Sequence, residues 1–158
     1  MKTSLLKLFV MCAALAGLVI TSSAKADDCA ALVGTIVQQE GATYTSRSLS
    51  GNIYFLKHRP ALEISVDCGA NSLGPMITVD SDRQPFPSES VFLFTARLGS
   101  MLTGINPAGL LKSLHEALKQ TQAEMAERHL SHGVVIECHA FTRDGGASSF
   151  TMSTDTTK

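Results

Sequence analysis

The chain has 158 residues, of which 44% are hydrophobic and 17% charged, and its formal net charge is −1. This length suits one domain with a hydrophobic core. The chain has no tryptophan and only 6% aromatic residues, so it lacks the stacking surfaces typical of carbohydrate and nucleobase binders. The weak negative charge also argues against nucleic acid and anionic membranes as partners.

The first 26 residues have the three parts of a secretory signal peptide. Two lysines precede an uncharged apolar run at 8–20, and the small residues Ala24 and Ala26 indicate cleavage after Ala26. The apolar run is shorter than the roughly 20 residues of a membrane-spanning helix, so we predict removal and treat an uncleaved anchor as the alternative. Cleavage leaves one domain at 27–158 with 14 acidic and 10 basic residues. The expected location is periplasmic or secreted, with no transmembrane segment after cleavage.

The first half of this domain carries mostly strand signals. Residues 30–37 are apolar on both faces and rich in valine, isoleucine and threonine, which favours a buried strand, with a short helix as the alternative. Residues 43–49 and 52–58 flank a Ser-Gly turn and predict a hairpin. Residues 62–68 alternate between apolar and polar side chains, which predicts a strand with one buried face, and a short strand is expected at 76–79.

A pair of helices is predicted next. Ser88 is a candidate N-cap for a helix at 89–103, which Gly104 ends. Asn106 and the proline after it are typical of a helix start. Apolar residues then recur every three or four positions, which predicts a second helix at 107–130 with one apolar face.

Side chains at 134–141 again follow the two-residue period of a strand, and a last strand is predicted near 148–153. The order of strands, helix pair and strands predicts an α+β fold. We expect an antiparallel or mixed sheet of about five to seven strands, with the helical hairpin (89–103 and 107–130) packed on one face. No glycine-rich phosphate loop follows a strand, so the sequence does not support nucleotide binding.

His129 and His132 are the candidate metal ligands. They lie three residues apart at the end of the second predicted helix, and imidazole is a ligand that zinc and copper prefer. Their spacing matches no established zinc pattern, however, and histidines also suit the negative end of a helix dipole. Cys138 and His139 follow on a strand, where adjacent side chains point to opposite faces. No other cofactor is expected.

No catalytic residue is predicted, because the chain has neither a CxxC motif nor a Gly-x-Ser-x-Gly elbow. Cys138 beside His139 suggests a thiol enzyme, but neighbouring strand residues point apart. Three pairs of carboxylates lie close together in the sequence, but they are predicted in loops, at a terminus or on the solvent-exposed face of a strand, where carboxylates are normally solvated. These pairs are Asp80 with Asp82, Asp27 with Asp28, and Glu63 with Asp67.

Three cysteines follow the predicted cleavage site, and an oxidising compartment favours a disulfide. On their predicted strands, Cys68 and Cys138 both occupy alternating positions whose side chains are expected to face the core. We therefore predict a bridge between Cys68 and Cys138, with the two pairings of Cys29 as alternatives.

The leading functional hypothesis is a non-enzymatic, exported domain that binds a protein or a cell-envelope component through its sheet edge or its helix pair. It rests on the export signal and on the missing catalytic motif. The alternatives are a periplasmic transition-metal-binding protein that uses His129 and His132, and an enzyme whose site is assembled from residues distant in sequence.

Overall fold

The computed structural model describes residues 23–69, 74–82, 87–121, 126–141 and 146–154. Its three helices are α1 (Ser23–Glu40), α2 (Glu89–Thr103) and α3 (Pro107–Gln120). Its seven strands are β1 (Thr43–Arg47), β2 (Ile53–Lys57), β3 (Glu63–Asp67), β4 (Met76–Asp82), β5 (Ala126–Ser131), β6 (Val134–Phe141) and β7 (Ala147–Thr154). The strands form one open antiparallel sheet against which helices pack, so the predicted α+β class is confirmed.

The strand order is β1-β2-β3-β4-β7-β6-β5, and every neighbouring pair is antiparallel. β4 is therefore the central strand, with β3 and β7 beside it, and β1 and β5 are the edges. One row of paired residues crosses five strands on the same face and is fully buried. This row consists of Leu56, Ile64, Val79, Phe150 and Cys138.

The helices pack against this buried face. α2 and α3 form the predicted hairpin, in which α2 contacts β4 and β7 while α3 contacts β5 and β6. Gly104 ends α2 in the left-handed conformation, and the Asn106 side chain accepts a hydrogen bond from the Ala108 N–H at the start of α3. α1 packs beside α2. Within the described ranges, no helix is long and apolar enough to cross a membrane.

The strand predicted at 30–37 is wrong, because these residues belong to α1. Cys29, Val33 and Ile36 are buried in this helix, and their spacing of four and three is the helical period. The β-branched composition suggested a strand, but packing against α2 stabilises the helix instead. α1 begins before the predicted cleavage site, and cleavage after Ala26 stays a prediction.

The second helix is shorter than the predicted 107–130, since α3 ends at Gln120 and residues 126–131 form β5. His132 and Gly133, with φ values of 55° and 80°, are the two-residue turn of the β5–β6 hairpin. Turns with positive φ at both residues match the twist of paired strands. Leu130 is 60% exposed, so it does not extend the apolar face of α3.

The predicted Cys68–Cys138 disulfide is also wrong. Cys29 is bonded to Cys68, with their Cα atoms 5.7 Å apart, and Cys138 is a free, buried thiol. Cys138 does face the core as predicted. Its strand β6 is nevertheless three positions away from β3 in the sheet, which corresponds to roughly 14 Å. The bridge instead joins Cys29 of α1 to Cys68, the residue that follows β3.

Candidate functional site

The structure places the two predicted metal ligands against different partners. His129 on β5 lies 3.8 Å from the Glu116 carboxylate of α3. His132 lies in the following turn, where its Nδ1 is 2.8 Å from the Ser131 hydroxyl. Among the residues that the structure describes, no three His, Cys, Asp or Glu side chains are grouped to hold a metal ion. Metal binding by His129 and His132 stays a prediction.

The free thiol offers no exposed nucleophile. Cys138 is fully buried, and burial raises the pKa of its thiol. A reactive cysteine needs a lowered pKa and partial exposure. The surroundings of Cys138 are therefore those of a structural core residue.

A depression of about 450 Å³ lies where β3 begins beside β4 and β7. Its titratable lining residues are Lys57, Glu63 and Asp80, and Glu63 and Asp80 are direct cross-strand partners. Sequence spacing instead suggested the pairs Glu63 with Asp67 and Asp80 with Asp82, because strand register is not visible in a linear chain. Ser148 also lines the depression, and its buried hydroxyl has no hydrogen-bond partner among the described residues.

The edge strand β1 is exposed along its whole length. All five residues of β1 are exposed, and its main packing partner is β2. An edge strand presents unpaired backbone N–H and C=O groups that can pair with another chain. Apart from a bulge at Thr45, β1 contains no proline, and no helix among the described residues covers it. The other edge, β5, packs against α3 and carries the Arg128–Glu137 ion pair.

Both tyrosines of the chain lie on the β1–β2 hairpin. The rings of Tyr44 and Tyr54 meet edge to face with centroids 6.5 Å apart. The guanidinium carbon of Arg47 lies 4.5 Å from the centre of the Tyr54 ring, within cation–π range. Tyrosine and arginine are the residue types that dominate binding energy at protein interfaces. The hairpin therefore displays an ordered cluster of such residues beside a free strand edge.

Exposed apolar side chains are concentrated in the same part of the chain. Tyr44 is 50% exposed, Leu49 at the hairpin tip is fully exposed, and Leu62 is 53% exposed. The described residues contain only two other large exposed apolar side chains, Leu93 on α2 and Leu130 on β5. Three of five such side chains thus lie within residues 41–62.

Residues 41–62, which we call the hairpin segment, also differ from the remaining chain in charge. The segment contains Arg47, Lys57 and Arg59 and no acidic residue. Lys57 and Arg59 have no ion-pair partner within the described part of the chain, and with His58 they line a second depression of about 890 Å³ beside Thr43. The predicted mature chain outside this segment has seven basic and 14 acidic residues. The hairpin segment at the β1 edge is therefore cationic, whereas the rest of the predicted mature chain is acidic.

The sequence predicted the hairpin but not its role as a candidate site. Its edge position depends on which strands pair, and the clustering of Tyr44, Arg47 and Tyr54 depends on register. One signal was visible in the sequence, namely the 22-residue stretch without a carboxylate.

Comparisons with protein-family models, curated proteins and solved structures found no match.

Proposed function

We propose that the protein is an exported, non-enzymatic binding domain that takes up an extended segment of a partner protein along β1. The observation that carries the proposal is the fully exposed edge strand beside the half-exposed tyrosine and arginine cluster. Addition of a strand to a free sheet edge is a common mode of peptide recognition, in which main-chain hydrogen bonds supply affinity.

Order within the cluster favours binding. Tyr54 already contacts both Tyr44 and Arg47, so these side chains lose less conformational freedom when a partner arrives. An extended peptide on β1 would lie about 4.8 Å from this strand, within reach of the Tyr44 ring and the Arg47 guanidinium.

Export is supported by two observations. The N-terminal 26 residues have signal-peptide organisation, and the Cys29–Cys68 disulfide is typical of an oxidising compartment. We therefore infer that the partner is a periplasmic or extracellular protein, or a protein component of the cell envelope.

The test is selection of peptides from a random displayed library, followed by hydrogen exchange of the protein with each selected peptide. We expect protection of backbone amides within residues 43–47, and a roughly five- to thirtyfold weaker affinity in Tyr44→Ala. Leu93→Ala is the matched control, since Leu93 is 44% exposed on α2 and far from this strand in sequence. Peptides that protect no amide of β1, or that depend on Leu93 instead of Tyr44, would contradict the proposal.

A further inference from the structure

We infer that the segment bound along β1 is acidic, an inference that rests on the proposed function and specifies its partner. The supporting observation is the hairpin segment, residues 41–62, which has three permanent cations and no carboxylate.

The register places two cations at opposite ends of the docking edge. Arg47 is the last residue of β1 and stacks on Tyr54 of β2. Lys57 is paired with Thr43, the first residue of β1, so only a small side chain separates Lys57 from the edge. A strand added to β1 would therefore meet Arg47 near one end and, near the other, Lys57, which also lines the depression that contains Glu63 and Asp80.

The depression at the Thr43 end adds a place for a carboxylate. Its lining includes Thr43, Lys57, His58 and Arg59. A glutamate or aspartate that follows the paired part of the partner segment would enter this depression beside two cations. Arg47 lies on the helix-packed side of the sheet with Tyr54, whereas Lys57 lies on the opposite side, so acidic residues are needed on both faces of the partner strand.

Charge also selects among possible occupants of the edge. A second copy of this chain would bring two cationic hairpin segments together, which like-charge repulsion disfavours. A nucleic acid would satisfy the cations but lacks the alternating amide donors and acceptors that an edge strand presents. An acidic polypeptide satisfies both the backbone and the charges.

The experiment uses three labelled nine-residue peptides that differ only at four positions. The acidic probe is Thr-Val-Glu-Glu-Val-Glu-Glu-Val-Thr, and the controls carry glutamine or lysine in place of glutamate. Fluorescence anisotropy with the full predicted mature protein measures each Kd. We expect the acidic probe to bind more tightly than the glutamine probe by roughly two- to fivefold for each ion pair formed, and the difference to shrink at high salt. The lysine probe should bind most weakly.

Charge-reversal variants locate the effect. Arg47→Glu combined with Lys57→Glu should reverse the order of the acidic and lysine probes. Lys112→Glu on α3 is the control for charge reversal elsewhere on the surface, because Lys112 is 80% exposed and on a different element, and it should preserve the order. Both lysines and Arg47 are at the surface, so circular dichroism is expected to show unchanged secondary structure.

Several results would overturn the inference. Equal affinity for the acidic and glutamine probes would contradict the preference for an acidic segment. If either peptide still protects the backbone amides of β1 from hydrogen exchange, the proposed function is unaffected. No binding of the acidic probe also overturns the inference, and the library selection then decides the proposed function separately. Tighter binding of a single-stranded oligothymidylate with the same dependence on Arg47 would assign the edge to nucleic acid. A concentration-dependent dimer that Arg47→Glu disrupts would assign it to a second copy.

Discussion

Arg97 on α2 donates hydrogen bonds to both carboxylate oxygens of Glu40, the last residue of α1, at 2.8 to 3.1 Å. The Glu40 side chain is only 10% exposed, whereas that of Arg97 is 46% exposed. The hydrogen bond to Glu40 is the main cause of the raised pKa of Arg97. Together with the Cys29–Cys68 disulfide, this pair fixes α1 to the rest of the fold at two points along its length.

Replacement of Arg97 by methionine should lower the free energy of unfolding by about 1–2 kcal/mol. The substitution retains an apolar stem but leaves the nearly buried Glu40 carboxylate without its partner, and the exposure of Arg97 limits the loss. Urea denaturation measures the change. Lys112→Met is the control, because the Lys112–Glu116 pair is long and exposed, and its loss should cost less than about 0.5 kcal/mol. Equal effects of the two substitutions would contradict the assigned role of Arg97.

Removal of the disulfide in a Cys29→Ala, Cys68→Ala double variant should destabilise the protein by up to about 4 kcal/mol. The bridge closes a loop with a sequence separation of 39 residues, which restricts the unfolded chain. Denaturant unfolding without reductant gives the difference. Peptide mapping under non-reducing conditions should link Cys29 to Cys68 and leave Cys138 free. A Cys68 peptide joined to Cys138 would disprove the connectivity.

The stabilising effect of Cys138 should decline at high pH. Burial raises the pKa of this thiol, so the folded state retains its proton above the pH at which the unfolded thiol ionises. The contribution is complete below the unfolded thiol pKa of about 8.5 and is lost as pH rises from there through the raised folded pKa. We expect the free-energy difference between the native protein and Cys138→Ala to be constant up to about pH 8 and smaller above it.

Urea unfolding at several pH values tests the sign of this linkage. Iodoacetamide at neutral pH should modify Cys138 only after denaturation, because the thiol is fully buried. Rapid alkylation of the native protein, or a difference that grows with pH, would show that the thiol is accessible or that its pKa is lowered.

Gly99→Ala should destabilise the protein by about 1–2 kcal/mol, although alanine is the better helix former. A Cβ at Gly99 would lie 2.7 Å from the Met152 sulfur and 3.1 Å from the Leu110 Cδ1, and both side chains are buried. Gly34→Ala in α1 is the matched control, since nothing lies within 4 Å of its added Cβ, and it should stabilise by up to about 1 kcal/mol. Thermal or urea unfolding of both variants checks the prediction. Stabilisation by both substitutions would contradict close packing at Gly99.

Local sequence signals predicted those elements whose determinants lie within a few residues. The bounds of α2 follow from apolar spacing at 89–103 and from Gly104, whose left-handed φ of 72° suits a residue without a side chain. The start of α3 follows from Asn106 and its proline. The β1–β2 hairpin and the core parity of β3 and β6 also agree with the sequence, because alternation of apolar residues directly reports one buried face.

Tertiary structure decided the features that depend on distant partners. Residues 126–131 become β5 because β6 supplies their backbone hydrogen bonds, although their composition suits a helix equally. Cys29 pairs with Cys68 because β4 and β7 separate β3 from β6. The candidate site has the same origin: only strand order makes β1 an edge, and only register brings Tyr44 and Arg47 to Tyr54. Such contacts join residues through space, so nearby sequence carries no record of them.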